Sequence, residues 1–123
     1  MRSDGRGASM RPRVFRPGEI VFLEGMHGEE AFLLKEGAVE IFRSSGSGEV
    51  ALATITPGDI FGEMALVDSR PRSASARCVG VVVATPIPRR LLEQELARSP
   101  MIVRALVERY IRIIRDANRR LGD

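Results

Sequence analysis

The spacing of apolar residues changes once along this chain, at Pro86, and that change restricts the fold more than any other feature. From Val14 to Thr85 short apolar segments recur at strand-like intervals. Turn formers separate them: Pro17-Gly18, Gly25, Gly37, Ser44 to Gly48 and Pro57-Gly58. Val39-Glu-Ile-Phe-Arg alternates as a half-buried strand must, because successive side chains of a strand point to opposite faces. Ser44 to Gly48 reads as a hairpin tip leading into a strand over Glu49 to Ile55. The apolar run Val79 to Ala84 predicts a strand buried on both faces. Short strands joined by glycine turns imply a sandwich or barrel, here an antiparallel jelly roll, followed by C-terminal helices.

Past Pro86 the period becomes helical. Pro88 opens a helix through Leu91, Leu92, Leu96 and Ala97, and Ser99-Pro100 predicts an N-cap followed by proline at the first helical position. The next helix carries an apolar stripe at Val103, Leu106, Val107, Tyr110, Ile113, Ile114, Ala117 and Leu121, with arginines mostly off it. Ile102, Ala105 and Ile111 widen that stripe beyond what one contact with the strands requires. The width predicts a dimer seam or a hinged helix with two docking surfaces. A helix packed entirely on its own barrel is the plainer alternative.

The densest chemistry lies in Phe61-Gly-Glu-Met-Ala-Leu-Val-Asp-Ser-Arg-Pro-Arg-Ser-Ala-Ser75. Gly62 permits close backbone approach, and Glu63 to Leu66 can form one helical turn. Unpaired N–H groups at such a turn carry positive partial charge and suit an anion. Pro71 fixes its own φ and biases Arg70 toward an extended backbone. Arg72 can then fork onto two phosphate oxygens, which a lysine cannot do. Glu63 beside an anion makes sense if its carboxylate accepts a hydrogen bond from a neutral hydroxyl next to the phosphate, such as a ribose 2′-OH. Phosphate and ribose hydroxyl on one small ligand suggest a nucleotide.

This stretch resembles the phosphate-binding cassette of the cyclic nucleotide-binding domain family. That pattern is Phe-Gly-Glu-x-(Ala/Gly)-Leu, a short loop, then Arg-x-Ala. The resemblance implies that Glu63 binds the ribose 2′-hydroxyl and Arg72 the cyclic phosphate, with backbone amides around Gly62, Met64 and Ala65 facing that phosphate. It also implies contacts from Ser73 and Ala74, the hydroxyl of Ser73 meeting phosphate or purine. Phe15 to Gly25, Leu33 to Ile41 (a hairpin bending at Gly37) and Ile55 to Phe61 are similar to other parts of the family pattern. The resemblance therefore covers about Val14 to Asn118. It implies a domain over 14–118, between a disordered tail over 1–13 and a short tail over 119–123. By the same likeness Leu106, Arg109, Tyr110 and Ile113 form a lid over the base, and Val50, Leu52 and Cys78 to Val82 are candidates for the apolar lining. The implied function is a sensor of cAMP, favoured over cGMP, that relays occupancy through its last helix and needs no cofactor. A cyclic dinucleotide fits a one-phosphate cassette less well.

Composition removes several other classes. The 123 residues, 44% of them hydrophobic, make one soluble domain of modest core. No apolar run approaches bilayer length and no signal-peptide pattern is present, so a cytoplasmic setting is expected. Cys78 is the single cysteine, which rules out an intramolecular disulfide. His27 is the single histidine, in a Gly-Met-His-Gly turn, so the multi-histidine metal site of a catalytic barrel cannot be assembled. There is no nucleophile-and-base set and no Walker loop; a binding module without catalysis is expected. The net charge of +3 comes from scattered arginines without interleaved aromatics, which disfavours a nucleic-acid surface. Partners are then a cyclic nucleotide and either a second copy or a separate effector. The competing reading is a ligand-free interaction domain that dimerises through its last helix, with Arg72 held in a structural ion pair to Glu63 or Asp68.

Overall fold

The computed structural model describes residues 11–122. In chain order they form β1 (Arg13–Phe15), β2 (Ile20–Phe22), β3 (Glu30–Ser45), β4 (Gly48–Ile55), β5 (Ile60–Phe61), α1 (Met64–Asp68), β6 (Ser75–Pro88), α2 (Arg89–Arg98) and α3 (Met101–Gly122). The tail expected over 1–13 lies outside the described residues up to position 10, and Arg13 already belongs to β1.

All strand pairs are antiparallel, and the long β3 and β6 run together from Glu30↔Pro88 to Phe42↔Ser75. The outer edge of β6 takes β1 and β2, and the outer edge of β3 takes β5 and β4. In a flat sheet β2 and β5 would lie about 14 Å apart, three strand spacings. Yet the ring centroids of Phe22 on β2 and Phe61 on β5 are 6.1 Å apart. The sheet therefore curls over its own apolar face, as a jelly roll requires, without closing into a continuous barrel. Phe15, Phe22, Phe32 and Phe61 meet ring to ring inside the curl, over a floor of Leu34, Val39, Ala76, Cys78, Val82 and Ala84.

Two strand expectations are corrected. The run Val79 to Ala84 is buried on one face only: Cys78, Val82 and Ala84 point inward, while Val79 and Val81 are more than half exposed. Four valines imitate a strand covered on both sides, but nothing among the described residues covers the outer face. Gly37, read as a hairpin bend, is instead a bulge within the continuous β3, where the register against β6 slips. Its φ of +91° and a Cβ position only 2.3 Å from the Val81 carbonyl oxygen both demand glycine.

Pro88 enters α2 from an extended backbone, as its fixed φ favours. Ser99 differs from expectation: its hydroxyl donates to the Glu95 carbonyl at 3.0 Å and so closes α2 rather than opening α3. Along α3, Ile111 is the buried side chain among those described, at 5% exposure, whereas Leu106, Tyr110 and Ile113 are exposed. Leu121, assigned to the stripe by spacing, lies outside the residues whose side chains are described. No described helix is long and apolar enough to cross a membrane.

Candidate functional site

Arg72 is held by its backbone before its side chain does anything. Its N–H donates to Met26 O and its carbonyl accepts from Gly25 N–H, both at 2.8 Å, so it is clamped to the loop between β2 and β3. The guanidinium lies over the Phe22 ring, 4.0 Å from the centroid, and the residue is 7% exposed. Nη1 donates to Gly62 O at 2.7 Å and Nη2 to Glu30 O at 2.6 Å, while Nε is buried with no partner. Two glycines permit this placement. A Cβ on Gly28 would sit 2.6 Å from Arg72 Cζ, and one on Gly62 would sit 2.7 Å from Nη1.

The charge of Arg72 is therefore buried against backbone carbonyls, and among the described residues no carboxylate pairs with it directly. Burial lowers its pKa from the usual value, and the more distant charge of Glu30 opposes that shift. The expected alternative, an ion pair to Glu63 or Asp68, is not what the side chains form. Asp68 instead takes Arg115 from α3. A buried cation satisfied only by neutral carbonyls retains a strong demand for an anion.

Glu63 stands at the start of α1 and makes no side-chain cap bond. Its burial raises the carboxyl pKa above the ordinary 4.5, opposed by its own backbone N–H and by Arg72. Its peptide carbonyl already accepts from Leu66 and Val67 N–H, at 3.0 and 3.2 Å. Beyond the bond from its own N–H, the carboxylate has lone pairs left to accept a hydrogen bond from a hydroxyl. Ser73 follows Arg72 into the same space, and Ala74 is buried behind it.

Gly62, Glu63, Met64, Ala65, Arg72, Ser73 and Ala74 all line one cavity of about 220 Å³. Its opposite wall is apolar: Ile41 of β3 with Leu52, Ala53 and Ile55 of β4. Of the strand residues expected in the lining, Leu52 is there, while Cys78 and Val82 belong to the core. The remaining wall comes from α3, through Ile114 and Arg115. The lid residues expected from sequence, Leu106, Arg109, Tyr110 and Ile113, are exposed and do not line this cavity. Nothing in the spacing of α3 marked Ile114 and Arg115 over their neighbours, because apolar residues occur on two of its faces.

A larger cleft of about 540 Å³ lies on the other side of Arg72, among Arg13, His27, Glu29, Glu30, Arg89 and Arg90. Its polar side chains largely answer one another: Arg13 pairs with Glu30 at 2.9 Å and Arg89 with Glu29 at 3.3 Å, and His27 Nε2 lies 2.6 Å from the Glu29 carboxylate. Arg72 borders both spaces, but only the smaller cavity joins it to Glu63, the first turn of α1 and an apolar wall, which makes it the candidate binding site.

Comparison with known proteins points to one family. The family model described as cyclic nucleotide-binding domain matches residues 12–99. A CRP-like cAMP-activated global transcriptional regulator of Mycobacterium tuberculosis is 34% identical over 93% of this chain and 51% of its own length. The cyclic AMP receptor protein of Thermus thermophilus is 33% identical over 86% of this chain and 50% of its own. This chain thus spans about half the length of these relatives. Among solved structures, an EAL enzyme in its cAMP-bound form superimposes with a TM-score of 0.84 at 28% identity, over 88% of this chain and 29% of that one. The Thermus thermophilus catabolite activator protein gives 0.73 at 31% identity, over 93% of this chain and 54% of that one.

Proposed function

This chain belongs to the cyclic nucleotide-binding domain family, and from that premise we propose that the cavity beside Arg72 binds a 3′,5′-cyclic purine mononucleotide, cAMP in preference to cGMP. The observation that carries the reading is Arg72 itself: a buried guanidinium bound only to carbonyl oxygens, with an unsatisfied Nε. The cyclic phosphate supplies the missing anion, gripped by charge-assisted bonds from Arg72 and by N–H groups at the first turn of α1. Glu63 accepts from the ribose 2′-hydroxyl, and Ser73 adds a hydroxyl contact. The purine then lies between the apolar β4 wall and Ile114 of α3. Two relatives, a CRP-like cAMP-activated global transcriptional regulator and a cyclic AMP receptor protein, support adenine over guanine.

The binding unit is residues 14–118, acting in the cytoplasm as a sensor without catalysis of its own. Its output is the position of α3, which touches the cavity on one side and leaves Val103, Leu106, Tyr110 and Ile113 exposed on the other. That free face is where a second copy or an effector would read the helix. The test is calorimetric titration of wild type and Arg72→Ala with cAMP. Truncation should cost ~2–4 kcal/mol, about 30- to 1000-fold in affinity. Equal binding by a folded Arg72→Ala protein would refute the assignment.

A further inference from the structure

We propose that Asp68 and Arg115 form a latch between the cassette and α3, and that this ion pair sets how long a bound nucleotide is retained. The inference rests on the nucleotide reading above and adds the residues that hold the helix in place.

Arg115 donates from Nε and Nη2 to the two carboxylate oxygens of Asp68, a fork that joins residues 47 apart in sequence. The side chains are only 10% and 19% exposed, so water screens the pair weakly. A third donor, Nη1, reaches the Pro71 carbonyl at 3.4 Å. Asp68 is fixed in turn: it ends α1, its carboxylate accepts from Arg70 N–H at 3.0 Å, and Ser69 turns the chain through a left-handed φ of 57°.

Location gives the pair its function. Arg115 grips Asp68 and Pro71, and Arg72, the phosphate ligand, is the next residue in the chain. On the other side Arg115 and its neighbour Ile114 form part of the cavity wall. One short segment therefore carries both the residue that holds the phosphate and the acceptors that hold the covering helix. In this proposal a nucleotide leaves past Ile114 when α3 lifts, and lifting α3 parts a forked ion pair that is largely shielded from water. A second charged pair at this end of α3, Asp116 with Arg119, lies within the helix and does not reach the cassette.

The experiment follows release of 8-fluorescein-labelled cAMP, chased with excess unlabelled cAMP, in wild type, Asp68→Asn, Arg115→Gln and the double variant. Circular dichroism and melting confirm that each is folded. Dissociation should speed up about tenfold in each single variant, and in Asp68→Asn, whose residue lies outside the cavity lining, association should be unchanged or faster, because a latch hinders exit without building the site. The double variant should release no faster than the worse single one, since both substitutions break the same bond. Slowed association with unchanged release would assign the pair to the shape of the site and overturn the latch. Additive effects, or release at the wild-type rate in Asp68→Asn, would overturn it as well. A wild-type protein that binds neither cAMP nor cGMP would overturn the nucleotide reading and the retention role together, a result distinct from the others.

Discussion

Gly28→Ala probes the site without altering any group expected to touch ligand. Gly28 lies in the loop between β2 and β3, and its φ is not in the left-handed region, so alanine carries no backbone strain there. The added Cβ would lie 2.6 Å from Arg72 Cζ and 2.7 Å from Nε, where ordinary contact begins at 3.4 Å, so the guanidinium must move by about 0.8 Å. It is the far end of a flexible side chain and can yield, but every direction costs it something. It leaves the Phe22 ring, Gly62 O or Glu30 O, and with them the position from which it would meet a phosphate. A shift of that size forfeits about one charge-assisted hydrogen bond, ~1.5–3 kcal/mol. That is about 10- to 150-fold in cAMP affinity. Melting should change little, because the backbone clamp of Arg72 to Gly25 and Met26 is untouched. Calorimetry with parallel thermal melts is the assay. A Gly28→Ala protein that binds cAMP within threefold of wild type would show that Arg72 does not hold the phosphate from its observed position.

Other consequences follow from neighbouring residues. Glu63→Gln should weaken cAMP binding by about five- to tenfold, less than Arg72→Ala, because the amide oxygen still accepts from a hydroxyl while the charge assistance is lost. The same variant should make the ligand-free protein more stable at neutral pH. Burial raises the folded pKa of Glu63 above 4.5, so the folded state binds that proton more tightly than the unfolded chain. Its favourable contribution is full below the unfolded value and is lost as pH rises through the folded one. Chemical denaturation at pH 4 and pH 7 should show the advantage of Gln only at the higher pH. Gly62→Ala should reduce both stability and binding, since φ is +79° and its Cβ meets Arg72 Nη1 and the Phe22 ring; a melt unchanged from wild type would contradict this. Cys78, 2% exposed in the core and with a thiol pKa raised by burial, should react with a thiol reagent only as fast as the protein opens.

The sequence disclosed the cassette because its chemistry is local. Glycine, glutamate, the short helix and the arginine lie within one contiguous stretch, so their types and spacing can be read without knowing what packs against them. Strand texture was legible for a similar reason, since each turn carries its own glycine or proline. What stayed hidden depends on contacts between distant segments. The Glu30 carbonyl that receives Arg72 belongs to the backbone, so no residue type announces it. The Asp68–Arg115 pair joins segments with no shared pattern. The face of α3 could not be chosen from its period: Leu106, Tyr110 and Ile113 fit a lid as well as Ile111, Ile114 and Arg115 do. Which set faces inward depends on where α1 stands. Val79 and Val81 misled because apolar side chains on an open sheet face look the same in sequence as buried ones.

The central claim is that Arg72 and Glu63 together hold a cyclic purine nucleotide. Its most direct test is calorimetric titration of the wild-type protein, unfolded and refolded to strip any carried ligand, with cAMP, cGMP and 5′-AMP in turn. Saturable binding of cAMP at one site per chain, weaker binding of cGMP and little of 5′-AMP is the predicted result. A refolded protein with a cooperative melt and no heat with any of the three would contradict it, leaving the cassette as inherited architecture and α3 as the surface that acts.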